Sequence, residues 1–277
     1  MCLAVVALNA HPRLPLVIAA NRDEFHSRDA APAHWWKEGV LAGRDLAGGG
    51  TWFGVTRKGR WALVTNFREG VPRDPSAPSR GRLVTDALAR NDAPLVGAAA
   101  IARDGWRYHG FNLLMGAVAI PHPRPSPGRR GEAREPIRDY QGAAAHTSNR
   151  TSGAVALSRG IRGLSNHLLD TPWPKVVRSK ARIAAELERG TPDIAGLFEL
   201  LEDPQQAEAS VLPSTGISSR WEQLLSSTFI VDAQYGTRCS TVLMIDVGGH
   251  VRFVERSFDA EGHMTGEVAH EFALGAA

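Results

Sequence analysis

Strand-length apolar patterns recur along this chain at short spacing, and helical patterns fall between them in blocks. The strand patterns lie at Leu3–Leu8, Leu16–Ala20, Thr51–Val55, Trp61–Asn66, Phe111–Met115, Ala154–Ser158, Ser227–Asp232, Thr237–Asp246 and Val251–Glu255. Close spacing favours antiparallel pairing, because parallel strands need a long crossover. Thr51–Val55 and Trp61–Asn66 flank Lys58-Gly59 and read as a hairpin. Helical patterns cover Arg80–Arg90, Asp92–Arg103, Thr171–Arg189, Ile194–Leu201 and Ser219–Leu225. Thr171–Arg189 is the clearest: Asp170 or Thr171 can cap it, Pro172 or Pro174 suits its first turn, and Gly190 ends it. The order strands, helices, strands, helices, strands predicts an α+β fold of two mostly antiparallel sheets flanked by helices. The 277 residues suffice for one large domain or two small ones. With no internal repeat, the chain reads as one domain spanning 1–277.

Composition excludes little. No stretch approaches the roughly 18 apolar residues that cross a bilayer, and no basic region precedes the first apolar run. The expectation is a cytoplasmic protein without integral membrane association. The net charge is +3. The segment Pro121–Arg138 holds five arginines and two glutamates, which is that whole surplus. A basic pI located in one segment argues against nucleic-acid binding, and the segment itself reads as a flexible, solvated Pro/Arg-rich insertion. A basic arm for an acidic partner is the other reading. Two cysteines, Cys2 and Cys239, make neither a disulfide framework nor a zinc site.

Cys2 directly follows Met1. Removal of Met1 would leave a thiol and a free α-amine on one residue, a nucleophile that carries its own base. Alternatively, Cys2 is a small hydrophobe that begins an edge strand. The run Leu16–Ala20 ends in Asn21-Arg22-Asp23-Glu24. Strand alternation puts Asn21 and Asp23 on one face and Arg22 and Glu24 on the other. If the first two runs are neighbours, Asp23 comes near Cys2 and can hold the amine, and Arg22 can bind a substrate carboxylate or phosphate. A turn with a structural ion pair is the alternative. Gly48–Gly50 is no phosphate loop, since neither a Lys-Ser/Thr pair nor a helix follows; it reads as a tight turn or bulge. Cys239 reads as a buried small residue.

These residues carry a resemblance. Met1-Cys2, His11-Pro12, Ala20–Phe25, Gly43-Arg44-Asp45, Gly49–Trp52, Gly59-Arg60 and Thr65-Asn66 resemble the NRDE family, also called the Transport and Golgi Organisation 2 family. The likeness continues through Gly110–Leu114, Ser148–Arg150, Gly163–Val176 and Tyr235–Asp246, essentially the full length. The family is similar to N-terminal nucleophile hydrolases of the choloylglycine and penicillin V acylase type, which implies a four-layer αββα sandwich. The resemblance assigns Cys2 the nucleophile position, Asp23 the amine partner, Asn166 the oxyanion donor and Arg238 a late steadying arginine. Asn66 is a second oxyanion donor candidate, and Asn21, Arg22 and Arg44 join it as substrate-binding candidates. The acylases carry their arginine three residues before the aspartate, whereas Arg22 adjoins Asp23 here.

Two functions follow as expectations. One is an amide or thioester hydrolase acting through Cys2 on a small acyl substrate. The other is a carrier on the same scaffold: the family is associated with heme trafficking, and in eukaryotes with lipid or acyl-CoA metabolism. Heme would be a carried ligand, with Cys2, His11 or His26 on the iron and Arg22 and Arg44 on the propionates. No Cys-x-x-Cys-His attachment motif is present. No cofactor is expected to be required.

Overall fold

The computed structural model describes residues 2–70, 74–118 and 142–275. The Pro/Arg-rich insertion lies outside the described residues. The strands are β1 (Cys2–His11), β2 (Leu14–Phe25), β3 (Ala30–Trp35), β4 (Val40–Asp45), β5 (Phe53–Thr56), β6 (Arg60–Asn66), β7 (Phe111–Val118), β8 (Gly142–Ser148), β9 (Ala154–Ala156), β10 (Gly160–Leu164), β11 (Tyr235–Ile245), β12 (His250–Phe258) and β13 (Met264–Ala273). The helices are α1 (Gly81–Ala89), α2 (Pro94–Asp104), α3 (Pro174–Glu188), α4 (Ile194–Leu201) and α5 (Ser219–Leu224).

The strands form two antiparallel sheets, β10-β1-β2-β11-β12-β13 and β3-β4-β5-β6-β7-β8-β9. Strand alternation sorts their side chains into layers. Ala4, Val6, Leu8, Leu16 and Ile18 meet Phe53, Trp61 and Leu63 in a core between the sheets. Val5, Ala7, Val17 and Ala19 point the other way, onto Ile183, Leu187, Leu197 and Phe198 of α3 and α4. On the second sheet, Ala62, Val64, Leu113 and Met115 pack on Leu83, Val84, Ala98 and Ile101 of α1 and α2. The result is the αββα sandwich. Strands β1 and β2 are central and covered on both faces, so both read as nearly unbroken apolar runs.

The expected hairpin is present: β5 and β6 pair across Gly59, whose φ of +77° suits a residue without Cβ. Helix α3 begins with Pro174 at its first position, after Trp173, which makes no side-chain cap; neither Asp170 nor Thr171 caps it. One expected strand is absent. Ser227–Asp232 is irregular, and its Ile230 N–H is satisfied by the Thr237 side chain at 3.0 Å. Among the described residues, no helix is long and apolar enough to cross a membrane.

Candidate functional site

The register of the first sheet aligns the chemistry. Cys2 lies opposite Arg22, and Arg22 lies opposite Cys239, across three adjacent strands. All three share the parity of Ala4 and Ile18, and so the face toward the other sheet. With strands about 4.8 Å apart, the two cysteines stand about 10 Å from one another, too far for a disulfide; both are free. Asp23 faces the opposite way, as alternation predicts, at the end of the sheet beside the start of β1.

Cys2, Arg22 and Asp23 line a cleft of about 540 Å³ whose walls include Trp52, Asn66, Arg28, Asp45, Arg80 and His109. Burial pushes the Cys2 thiol above its ordinary value, with Asp23 adding to the shift and Arg22 opposing it. The resting group is therefore a thiol, and nucleophilic attack from it needs a base. Asp23 is 2% exposed. Its Oδ1 accepts from the Thr237 hydroxyl at 2.8 Å, and its backbone carbonyl accepts from the Tyr235 hydroxyl at 2.9 Å. Burial raises its pKa; Lys175, the Thr237 hydrogen bond and Arg22 are among the influences that pull it back.

A glycine-shaped turn holds the cleft wall. The Asp45 carboxylate accepts from the Ala47 and Gly48 N–H groups, both at 3.1 Å, and from Arg28 at 2.7 Å. Gly49 takes φ +72°, so the glycine run is the tight turn expected of it. Gly43 does something less visible. A Cβ there would meet the Trp52 indole at 2.4 Å, so the bare backbone lets the ring lie flat against β4. The Arg22 guanidinium stacks on that indole, 4.5 Å from its centroid. Arg22 is 5% exposed, and neither of its Nη atoms has a hydrogen-bond partner among the described residues.

The other candidates are placed as follows. Asn66 lines the cleft. Asn166 is fully buried beside it: its Nδ2 donates to the Asn66 carbonyl at 3.0 Å, and its backbone carbonyl accepts from Arg68 N–H at 2.6 Å. Asn21 does not reach the cleft, contrary to its expected substrate role. It faces the helices, donates to the Leu201 and Thr228 carbonyls at 2.8 and 2.9 Å, and accepts from Ser240. Arg44 is exposed and stacks on Trp36, 4.6 Å from the ring centroid, outside the cleft. Arg238 sits at a bulge in β11 and lines a second, smaller cavity. His26 bonds to the Asp232 carbonyl at 2.9 Å and His11 ends β1; neither lines the cleft. Among the described residues, no group of three or more His, Cys, Asp or Glu is arranged to hold a metal.

One residue escaped the sequence reading. Lys175, in the first turn of α3, is 1% exposed, and its Nζ has no hydrogen-bond partner among the described residues. Burial lowers its pKa to about 8, against the pull of Asp23 and Cys2. The sequence did carry a signal: a cation in a helix's first turn opposes the macrodipole, an arrangement that needs a compensating anion.

A family profile described as Transport and Golgi organisation 2 matches residues 1–260. The Transport and Golgi organization protein 2 homolog of Bos taurus is 35% identical over 282 residues, covering 94% of this chain and 92% of the bovine one. The Homo sapiens homolog is 32% identical, covering 87% of this chain and 86% of its own. Among solved structures, a conjugated bile acid hydrolase from Clostridium perfringens aligns over 99% of this chain and 92% of its own, at 8% identity and a TM-score of 0.48.

Proposed function

We propose that this chain, which belongs to the Transport and Golgi organisation 2 family, cleaves a small acyl amide or thioester with Cys2 as nucleophile. The observation that supports this reading is the meeting of Cys2, Arg22 and Asp23 at one end of the β1–β2 pair, on a cleft that admits a small molecule.

In the proposed reaction, the Cys2 thiol gives its proton to the α-amine of the same residue, which loss of Met1 would free. Asp23 holds that amine, and Lys175 balances the charge of Asp23. Sγ attacks the acyl carbonyl and forms a thioester; the proton passes from the amine to the leaving amine or thiol. Water then attacks the thioester, and the thiol is regenerated with release of the acid. Asn66, together with backbone N–H groups, serves the oxyanion, a contribution worth about 3 kcal/mol in comparable sites. Asn166 braces Asn66 through its carbonyl. Arg22 takes an anionic part of the substrate.

The test is an acyl-substrate screen on wild type, Cys2→Ser and Cys2→Ala. Activity lost in both variants supports the reading, and an unchanged acyl-release rate in Cys2→Ala overturns it. Heme carriage is the competing function; its Cys2 candidate lines the cleft while His11 and His26 do not. A Soret shift on heme titration that survives with no acyl turnover in the screen would favour it.

A further inference from the structure

Behind Arg22 and Trp52 lies a second cavity, of about 210 Å³, that the acyl-transfer reading leaves unused. Both residues line both spaces, so the stacked pair forms a partition. On the far side, Arg238, Cys239 and Glu255 meet Ala30, Pro32 and Phe258. Pro32 and the neighbouring Thr265 are exposed, so the cavity opens to solvent at that edge.

The hydrogen bonds here do not close. Arg22 has two buried Nη atoms without a partner among the described residues. Arg238 donates through Nη1 to the His26 carbonyl at 3.0 Å, yet its buried Nε has no partner. Glu255 is the nearby carboxylate, but Oε1 accepts from Ala33 N–H at 2.8 Å and Oε2 from the Thr241 hydroxyl at 3.1 Å. It faces Arg22 from β2 and Cys239 from β11. Its oxygens are held by other donors, so it does not satisfy the guanidinium groups. Buried guanidinium donors left open are costly unless an acceptor completes them. The remainder of the wall is mixed: Ala30, Ala31, Pro32, Trp52 and Phe258 stand beside Ser257 and Thr265.

We infer that this second cavity binds the carboxylate of a short aliphatic acid, with Arg22 and Arg238 as donors and Pro32, Trp52 and Phe258 beside the tail. A planar carboxylate matches the guanidinium fork. The volume suits a few carbon atoms, and Pro32, Trp52 and Phe258 offer apolar contact to a tail that phosphate lacks. The site does not depend on cleavage at Cys2.

The experiment is calorimetric titration of the full chain in a Cys2→Ala background, so that the nucleophile has no bearing on the outcome. The probes are propionate and inorganic phosphate at pH 8, above the value of about 7 at which Glu255 ionises. Propionate is expected to bind one per chain. Arg238→Gln, which leaves the lining of the first cleft unchanged, is expected to weaken it about tenfold, and Arg22→Gln likewise. Glu255→Gln removes the one carboxylate of the cavity and is expected to tighten binding. Circular dichroism checks each fold; if Arg22→Gln does not fold, the other two variants carry the test. No propionate binding, affinity unaltered by Arg238→Gln, or phosphate binding more tightly than propionate would each overturn the proposal.

Discussion

Lys175 is the residue whose placement the fold explains least by packing and most by charge. Burying an ammonium without a hydrogen-bond partner costs several kcal/mol unless an anion or a pKa shift compensates. Asp23 and Cys2 are the groups that favour its charged form. Replacing it, as Lys175→Met, removes a cation that favours the Cys2 thiolate. The Cys2 pKa should move further up, and alkylation of Cys2 by iodoacetamide at pH 8 should slow, with the rate recovering at higher pH. A purely structural lysine would leave the pH profile in place. Cys2 stands out in the sequence because it follows Met1, and Arg22 and Asp23 because they lie two and three positions past the apolar run Leu16–Ala20. Sequence reading did not reach Lys175, because Thr171–Arg189 reads as an amphipathic helix whose lysines belong to the exposed face. Asn21 and Arg44 were placed by nearness to motifs in sequence. Alternation puts Asn21 under the helices, and the exposed side chain of Arg44 stacks on the buried Trp36.

At the scale of elements, the β4 strand and the turn after it work as a mount for Trp52. Gly43 is the contact point, and any Cβ there displaces the indole. Gly43→Ala should therefore destabilise the protein by about 1–3 kcal/mol, the usual cost of overpacking. Because Arg22 stacks on that ring, the same substitution should weaken anion binding; thermal unfolding and the propionate titration read the two effects separately. Five strands escaped the sequence reading; β4 and β8 are interior, while β3, β10 and β13 are sheet edges. Strand β13 is an edge strand exposed along much of its length, so burial imposes little apolar pattern on it. Strand β3 is the other sheet's edge and carries Pro32, a residue that edge strands tolerate. β10 contains two glycines in five residues. The Ser227–Asp232 run misled in the opposite sense. Phe229 and Ile230 are buried, at 8% and 2% exposed, but the run's backbone bonds to the Thr237 side chain and to the Asp203 carbonyl instead of to a strand ladder.

The whole molecule is a sandwich whose inter-sheet core is apolar at one end and opens into polar groups at the other. That division sets a pH dependence. Glu255 is 2% exposed, and burial raises its pKa from 4.5 to about 7. The folded state then holds a proton that the unfolded chain has released between those values, so this group's contribution to stability falls as pH rises through that window. The loss amounts to about 3 kcal/mol at roughly 1.4 kcal/mol per unit. Glu255→Gln can still accept from Ala33 N–H, with its amide NH2 donating to the Thr241 hydroxyl in reverse of the native bond, and should abolish the decline. Denaturant titrations of both proteins at pH 5 and pH 8 give the comparison. The two-sheet, helix-flanked architecture was legible because the blocks of strands and helices are long and strongly patterned. Arg22, Asp23 and Glu24, among the polar residues that interrupt β2, line the cleft at the polar end.

The claim at the centre of this account is that Cys2 is an acylatable nucleophile with a free amine. Electrospray mass measurement of the intact protein, before and after exposure to a short acyl thioester, tests it directly. We expect a mass lacking Met1 and a single added acyl group, mapped to Cys2 and absent from Cys2→Ala. A mass that retains Met1, or a Cys2 that never carries the acyl group, would contradict the account.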